Sequence, residues 1–274
     1  MLKNSSLIEL QNLEILQRYQ IIEVGKKTAE VYYKQLAYEN YLKQHIPDAR
    51  YVDLADQFSS IQSAFDYQHP GAIVFKRSFE QAGLVWDQPI LIYDRSNNIW
   101  AARLCWILQS FGHKHSYVLN GGFKRWQQKK LPIQSGLVEV AATHLNCQPK
   151  LRTQFFTDLE NIIPISNKKS AVQLINVLQP EVFTGKERKY ARRGHIPNSI
   201  NLPFSNFLGA DNRIIPPPQN IDLNLEQEIV VYCGSGVAAS GAAIALKEMG
   251  ASNVKVYDGS MSEWSCHPEL PLIS

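Results

Sequence analysis

The chain of 274 residues contains the same sequence unit twice. The segment 93–126 aligns with the segment 232–264, with tyrosine, glycine and tryptophan residues at matching positions. A His-Ile-Pro tripeptide stands at 45–47 and again at 195–197, each time before a short apolar run. A duplication of this kind requires one fold to be built twice, and the length also favours about two domains, so we predict two similar domains.

Each half alternates apolar runs with helical patterns, which is typical of an α/β domain with a mostly parallel sheet flanked by helices. We predict strands at 21–24, 50–54, 90–94, 116–120, 172–177, 199–203, 228–233 and 253–259. The predicted domains cover residues 1–135 and 157–274. Residues 136–156 show no clear period, and we predict that they form a linker.

The composition limits the classes of partner. An apolar fraction of 45% is ordinary for a globular protein, and no apolar run reaches the roughly 18 residues of a membrane span. The N-terminal residues alternate apolar with polar and acidic residues at helical spacing, so we expect no secretion signal, and Glu9 and Glu14 argue against a mitochondrial presequence. The net charge of +3 is small, and no basic stripe is present. We therefore expect neither a nucleic acid nor a membrane as partner.

The cysteines limit the cofactors and the compartment. The chain has four of them, at Cys105, Cys147, Cys233 and Cys266. They are too sparse and unpatterned for a disulfide framework or a zinc site, and no dinucleotide fingerprint is present. We expect no metal and no organic cofactor, and a cytoplasmic location.

Cys233 is the candidate nucleophile. It ends the apolar run 229–232 and precedes Gly-Ser-Gly and a helical pattern over 237–249. Glycine at 234 and 236 permits otherwise strained backbone angles, so that consecutive N–H groups can turn inward around the sulfur. A helix N-terminus adds about half a positive charge, which favours thiolate over thiol. The alternative is a buried structural cysteine.

Asp94 is the residue of the first half that aligns with Cys233. A carboxylate cannot carry a sulfur atom, so we predict that the first domain is catalytically inactive. Its loop, from 94 to 102, contains no glycine. We therefore expect this loop to lack an inward-pointing ring of N–H groups.

Two cysteine chemistries use a strand, an anion-binding loop and a helix, namely phosphate-ester cleavage and sulfur transfer. A cysteine phosphatase normally has an arginine at the sixth position after the cysteine, where this chain has Ala239. Sulfur transfer is therefore favoured. In that reaction the thiolate takes sulfur from a donor, becomes a persulfide, and is restored by an acceptor thiol or cyanide.

Three motifs resemble those of tandem-domain sulfurtransferases of the rhodanese superfamily. They are Cys-Gly-Ser-Gly-Val at 233–237, Gly-His-Ile-Pro at 194–197 and Tyr-Asp-Gly-Ser at 257–260, and the resemblance covers nearly the whole chain. The cysteine loop is similar to that of 3-mercaptopyruvate sulfurtransferases, whereas thiosulfate sulfurtransferases usually carry arginine and lysine after the cysteine.

The resemblance implies two tandem rhodanese-like domains and a persulfide formed on Cys233 from 3-mercaptopyruvate, a small anionic donor. The implied acceptor is a thiol, a thioredoxin-like protein or cyanide. Thiosulfate as the donor, and a sulfur-relay protein that accepts persulfide from a partner protein, are the alternatives.

The resemblance also implies roles for residues outside the cysteine. Ser235 would join a proton relay with His45. The alternative for Ser235 is that it caps the helix. The alternative for His45 is that it fixes the His-Ile-Pro turn, which is the role expected for His195. The substrate carboxylate would contact arginines of the basic stretch before Gly194, whose alternative role is a solvated loop. The full set of implied substrate-binding residues is Arg188, Arg192, Arg193, Gly234, Gly236, Val237 and Ala238.

Overall fold

The structure, a computed structural model, describes residues 5–10, 17–25, 31–167, 170–218 and 221–274. The chain forms two compact units. The first contains Met1–Gln62, His69–Leu151 and Ala210–Arg213. The second contains Ser63–Gln68, Arg152–Gly209 and Ile214–Ser274.

The first unit contains a parallel sheet of five strands in the order β1-β5-β4-β2-β3. The strands are β1 (Leu7–Ile8), β2 (Gln20–Gly25), β3 (Arg50–Asp53), β4 (Ile90–Tyr93) and β5 (Ser116–Leu119). Its helices are α1 (Val31–Lys43), α2 (Leu54–Gln57), α3 (Ala72–Gln81), α4 (Ile99–Ser110) and α5 (Gly122–Gln128).

The second unit repeats this strand order as β6-β10-β9-β7-β8, again all parallel. The strands are β6 (Phe156–Thr157), β7 (Gln173–Asn176), β8 (Ser199–Asn201), β9 (Ile229–Tyr232) and β10 (Val254–Tyr257). The helices are α6 (Leu159–Ser166), α7 (Pro180–Phe183), α8 (Val237–Glu248) and α9 (Ser260–Trp264). The two sheets confirm the predicted α/β class and the duplication of the fold.

The strands at the centre of each sheet are apolar because both of their faces are covered. Every residue of β2, β4 and β9 is buried. Helices α4 and α8 are apolar nearly all round and lie in the interior, as expected for helices of that composition. Each unit thus has a core that fixes the position at which its central strand ends.

The repeated tyrosines link this core to the repeated turn. The Tyr93 hydroxyl accepts the N–H of Ile46 at 3.2 Å. The Tyr232 hydroxyl accepts the N–H of Ile196 at 3.1 Å. Both isoleucines belong to the His-Ile-Pro tripeptides, so the same tyrosine-to-turn hydrogen bond is present within each unit.

All eight predicted strands are confirmed to within two residues at their ends. The two strands that the sequence analysis missed are β1 and β6, which have only two residues each and therefore show no period. The helical spacing expected at the N-terminus is wrong at Leu7–Ile8, because the backbone there pairs with β5. Residues 11–16 of that pattern lie outside the described residues.

The segment after α5 packs along the first unit through its backbone. The N–H of Gly136 donates to the carbonyl of Leu42 at 2.8 Å, and that of Thr143 donates to the carbonyl of Glu80 at 3.0 Å. Strand β6 begins at Phe156, the last residue of the predicted linker. None of the helices in the described ranges combines the length and the apolar content that a bilayer crossing requires.

His113 is a buried histidine in an aromatic cluster of the first unit. Its ring lies 5.2 Å from that of Trp86 and 5.9 Å from that of Phe79, and Nδ1 lies 2.7 Å from the Ser116 hydroxyl. Burial lowers the pKa of His113 from 6.5 to about 4, because the charged ring is poorly solvated there. Between these values the unfolded chain binds a proton that the folded protein does not, so acid destabilises the fold.

We expect His113 alone to lower the free energy of unfolding by about 2 kcal/mol between pH 7 and pH 5. Its contribution is complete above the unfolded pKa and is lost as the pH falls toward the folded pKa. Urea denaturation at the two pH values measures the difference, which His113→Asn should largely remove. The exposed neighbour His115 gives the control, His115→Asn. An unchanged pH dependence in His113→Asn would contradict this assignment.

Candidate active site

The loop between β9 and α8 places Cys233 at the carboxyl end of a central strand of the second sheet, where ligands bind in parallel α/β sheets. Cys233 follows the last residue of β9, and its side chain is only 3% exposed. Gly234, Ser235 and Ala238 are partly exposed. The sulfur therefore lies beneath a short loop that solvent reaches.

The two loop glycines are required for different reasons. Gly236 is the N-cap of α8 and has a φ of 73°, in the left-handed region that favours glycine. Gly234 does not have a positive φ. The prediction that glycine is needed at this position for its backbone angles is therefore wrong. A Cβ at 234 would lie 2.2 Å from the hydroxyl oxygen of Tyr190, which explains the glycine by close contact instead.

Ser260, the first residue of α9, supports the loop from below. Its hydroxyl accepts the N–H of Cys233 at 3.2 Å and the N–H of Gly236 at 3.1 Å, and it donates to the carbonyl of Tyr257 at 2.8 Å. These two N–H groups therefore bind Ser260 and do not face the sulfur. The prediction that consecutive N–H groups turn inward around the sulfur is therefore wrong for Cys233 and Gly236.

The remaining N–H groups of the loop have no acceptor in the described parts of the chain. They belong to Gly234, Ser235, Val237 and Ala238. Val237 and Ala238 open α8, and the first N–H groups of a helix have no partner within it. Together with the helix dipole they favour a negative charge at the start of α8.

The loop of the first unit shows what such N–H groups do when an anion is present. The buried carboxylate of Asp94 accepts the N–H groups of Ser96 at 2.8 Å and Asn98 at 3.1 Å through Oδ1. Through Oδ2 it accepts those of Trp100 and Ala101, both at 3.0 Å. Burial raises the pKa of Asp94, and these hydrogen bonds oppose that shift.

The expectation that this loop lacks inward-pointing N–H groups is therefore wrong. The reason is Asn98, which has a φ of 66° and so takes the left-handed conformation without being glycine. Gly236 takes the same conformation in the second unit. In the first unit the N–H groups bind a carboxylate of the chain itself, and in the second unit those at the start of α8 have no acceptor among the described residues.

Ser235 does not cap the helix, so that alternative is wrong. The N-cap is Gly236, with no side-chain capping bond, and the Ser235 hydroxyl makes no hydrogen bond to the described residues. Its position directly after Cys233, at the partly exposed rim of the loop, leaves the hydroxyl available to a bound molecule.

His45 and His195 make the same contacts in their own units. Nδ1 of His45 lies 2.9 Å from the carbonyl of Tyr41, and the ring stacks on Tyr41 at 4.4 Å. Nδ1 of His195 lies 2.8 Å from the carbonyl of Phe183, with its ring stacked at 3.6 Å. His45 is fully buried. These contacts support the alternative in which His45 fixes the turn.

Two of the predicted arginines bind backbone carbonyls. The guanidinium of Arg192 donates to four of them, at Ser265, Leu270, Trp264 and His267. Arg193 donates to the carbonyls of Gly185 and Lys186. Both side chains therefore shape the loop before Gly194 and the segment that follows α9.

Arg188 is exposed and also contacts the backbone of its own loop. Its Nη2 donates to the carbonyl of Ala191 at 2.8 Å, and its Nε donates to that of Tyr190 at 3.4 Å. The loop thereby positions the Tyr190 side chain against Gly234. Arg188 and Arg193 are both exposed, whereas Arg192 is partly buried.

Ser260 and Tyr190 were missed by the sequence analysis. A signal for Ser260 exists in the duplication, because the aligned residue of the first unit is Gly122, and both have a positive φ, 51° and 56°. A serine in that conformation is strained, which indicates a function for its hydroxyl. Tyr190 gave no signal, because its role depends on how the loop folds back.

The described residues contain no group of three His, Cys, Asp or Glu side chains that could bind a metal ion. The four cysteines form no disulfide. A cysteine directly after β9, followed by a helix start whose N–H groups have no acceptor among the described residues, is an arrangement that can support attack by a thiolate and binding of an anion.

Comparison with known proteins agrees with this geometry. The family model described as Rhodanese-like domain matches residues 9–129 and 165–267. The 3-mercaptopyruvate sulfurtransferase of Escherichia coli K12 is 28% identical over 244 residues, with 85% of each chain covered. The human 3-mercaptopyruvate sulfurtransferase is 31% identical over 233 residues, with 81% of this chain and 77% of the human one covered.

A solved structure shows the same fold. The crystal structure of the Tum1 protein from Saccharomyces cerevisiae covers 99% of both chains with a TM-score of 0.84, at 21% sequence identity. The similarity extends across both five-stranded sheets.

We expect Ser260→Ala to lower the free energy of unfolding by about 1–3 kcal/mol, because two buried N–H groups lose their acceptor. Chemical denaturation measures this. The control is Ser262→Ala on the same helix, whose hydroxyl makes no hydrogen bond to the described residues. Equal stability of the two variants would show that the Ser260 hydroxyl does not support the loop.

Proposed function

We propose, from the premise that the chain belongs to the rhodanese-like domain family, that it is a sulfurtransferase in which Cys233 carries the transferred sulfur. One observation carries the proposal. The N–H groups at the start of α8 have no acceptor among the described residues, whereas their counterparts in the first unit bind a carboxylate. A persulfide anion on Cys233 would be stabilised by the same kind of contact.

The preferred donor is 3-mercaptopyruvate. The Cys233 thiolate attacks the donor sulfur, the carbon–sulfur bond breaks, and its electron pair stays on carbon as the enolate of pyruvate. The enolate takes up one proton to become pyruvate, and the sulfur remains on Cys233 as a persulfide. The sulfur is oxidised from thiol to sulfane level as the carbon is reduced.

The acceptor completes the cycle. A thiolate of a small thiol or of a thioredoxin-like protein, or cyanide, attacks the outer sulfur. The sulfur–sulfur bond breaks, and its electron pair returns to Cys233 as a thiolate. A chain without disulfides suits a reducing compartment, which supports a cytoplasmic location.

The charge of the loop supports this donor over thiosulfate. Thiosulfate is a dianion and would gain from cations next to the sulfur, but residues 233–238 include no basic side chain. The donor 3-mercaptopyruvate has one carboxylate, which Arg188 can bind further from the sulfur. The curated relatives at 28% and 31% identity also support it.

The other loop residues have proposed roles. Gly234, Val237 and Ala238 supply N–H groups to the persulfide, and Gly236 gives the turn its shape. Ser235 offers its hydroxyl to the donor. We leave His45, Arg192 and Arg193 out of the proposed site. His45 is fully buried and stacked on Tyr41, Arg192 donates to four backbone carbonyls, and Arg193 donates to the two carbonyls of Gly185 and Lys186.

We expect the intact mass of the protein to rise by one sulfur atom after incubation with 3-mercaptopyruvate, since Cys233 keeps the transferred sulfur. Cys233→Ser should abolish the gain, and Cys266→Ser, at an exposed cysteine, should keep it. Steady-state rates with thiosulfate and cyanide test the alternative donor. Uptake of sulfur only from a protein persulfide would instead establish a sulfur-relay protein.

Arg188 and Arg192 form a matched pair of variants. Arg188→Gln should raise the KM for 3-mercaptopyruvate about tenfold and change stability by less than about 0.5 kcal/mol, because the side chain is exposed. Arg192→Gln should lower the free energy of unfolding by about 2 kcal/mol, because backbone carbonyls lose a charged donor. Steady-state kinetics and urea denaturation measure both effects. The reverse pattern would place the substrate carboxylate on Arg192.

A further inference from the structure

Tyr190 occupies the space that a side chain at position 234 would fill. A Cβ built on Gly234 would lie 2.2 Å from the Tyr190 hydroxyl oxygen and 3.0 Å from the ring carbon that bears it. Gly234 is bonded directly to Cys233. The loop before Gly194 therefore brings a phenol hydroxyl to the residue next to the nucleophile.

The Tyr190 hydroxyl is an unused donor at this place. It makes no hydrogen bond to the described residues, although its ring packs against the core of the second unit. Burial raises the pKa of Tyr190, and the negative charges of Cys233 and Glu187 raise it further. The phenol therefore keeps its proton when Cys233 is a thiolate.

We propose that Tyr190 is a further catalytic residue, whose hydroxyl donates a hydrogen bond to the carbonyl oxygen of the sulfur donor as that oxygen becomes an enolate. The inference rests on the proposed function. On this inference, Tyr190 and Gly234 together determine the preference for one class of donor. That class carries a carbonyl group beside the carbon–sulfur bond.

The chemistry explains why the donor class matters. When the carbon–sulfur bond of 3-mercaptopyruvate breaks, its electron pair is delocalised from carbon onto a carbonyl oxygen that was neutral before. A hydrogen bond to that oxygen strengthens in the transition state and so raises kcat. In a donor without a carbonyl no such charge appears. The Tyr190 hydroxyl keeps its proton throughout, and the enolate carbon takes its proton from the donor thiol or from solvent.

The test compares two donors in one single-turnover experiment. Tyr190→Phe keeps the ring and removes only the hydroxyl. We expect it to slow persulfide formation from 3-mercaptopyruvate about 100-fold, the usual effect of removing one such donor. Persulfide formation from inorganic polysulfide, and its discharge to cyanide, should stay within about threefold. Intact mass at quenched time points measures both, with Tyr117→Phe in the first unit as the matched control.

A double-mutant cycle tests the contact with Gly234. Gly234→Ala should displace the phenol and slow the 3-mercaptopyruvate reaction, and it should slow the reaction less in the Tyr190→Phe background. Additive effects would show that the two residues act separately.

The outcomes separate this inference from the proposed function. Equal rates from 3-mercaptopyruvate in the wild type and in Tyr190→Phe would overturn the role of Tyr190 and leave the function of Cys233 intact. Equal losses with both donors would place Tyr190 on the persulfide and overturn its role at the enolate. A wild-type chain that gains no sulfur at Cys233 from 3-mercaptopyruvate would overturn both proposals.

Discussion

In each half of this chain a buried central strand ends directly before a loop and a helix start whose backbone N–H groups need an acceptor. The strand is buried on both faces, so its last residue has a fixed position. The helix that follows opens with N–H groups that lack partners within the helix. The residue that follows the strand is next to this helix start in the chain. In one unit it is Asp94, whose carboxylate accepts four backbone N–H groups, and in the other it is Cys233.

Much of the fold could be predicted from the sequence, because the duplication and the buried apolar strands leave strong periodic signals. Strands of two residues leave none, and β1 and β6 were missed for that reason. The site was predictable where it depends on local sequence, as at Cys233 and Gly236. It was not predictable where distant segments meet. Tyr190 and Ser260 both reach the loop through tertiary structure, and of the two only Ser260, which aligns with Gly122, left a signal in the duplication.

The loop after Asp94 binds a carboxylate through its N–H groups although it contains no glycine. The absence of glycine predicts a loop without a ring of N–H groups, but asparagine also adopts the left-handed conformation at modest cost. The basic stretch before Gly194 also differs from its prediction. The resemblance implies that its arginines contact the substrate carboxylate, whereas the structure shows that Arg192 and Arg193 donate to backbone carbonyls.

The carboxylate of Asp94 gives the first unit a permanent internal ligand. An external oxyanion that competes for these N–H groups must displace a tethered group whose effective concentration is very high. The two halves of one duplicated protein thus differ in whether their loop N–H groups already have an acceptor. Simple anions are therefore expected to bind with a stoichiometry of one per chain, although the fold is present twice.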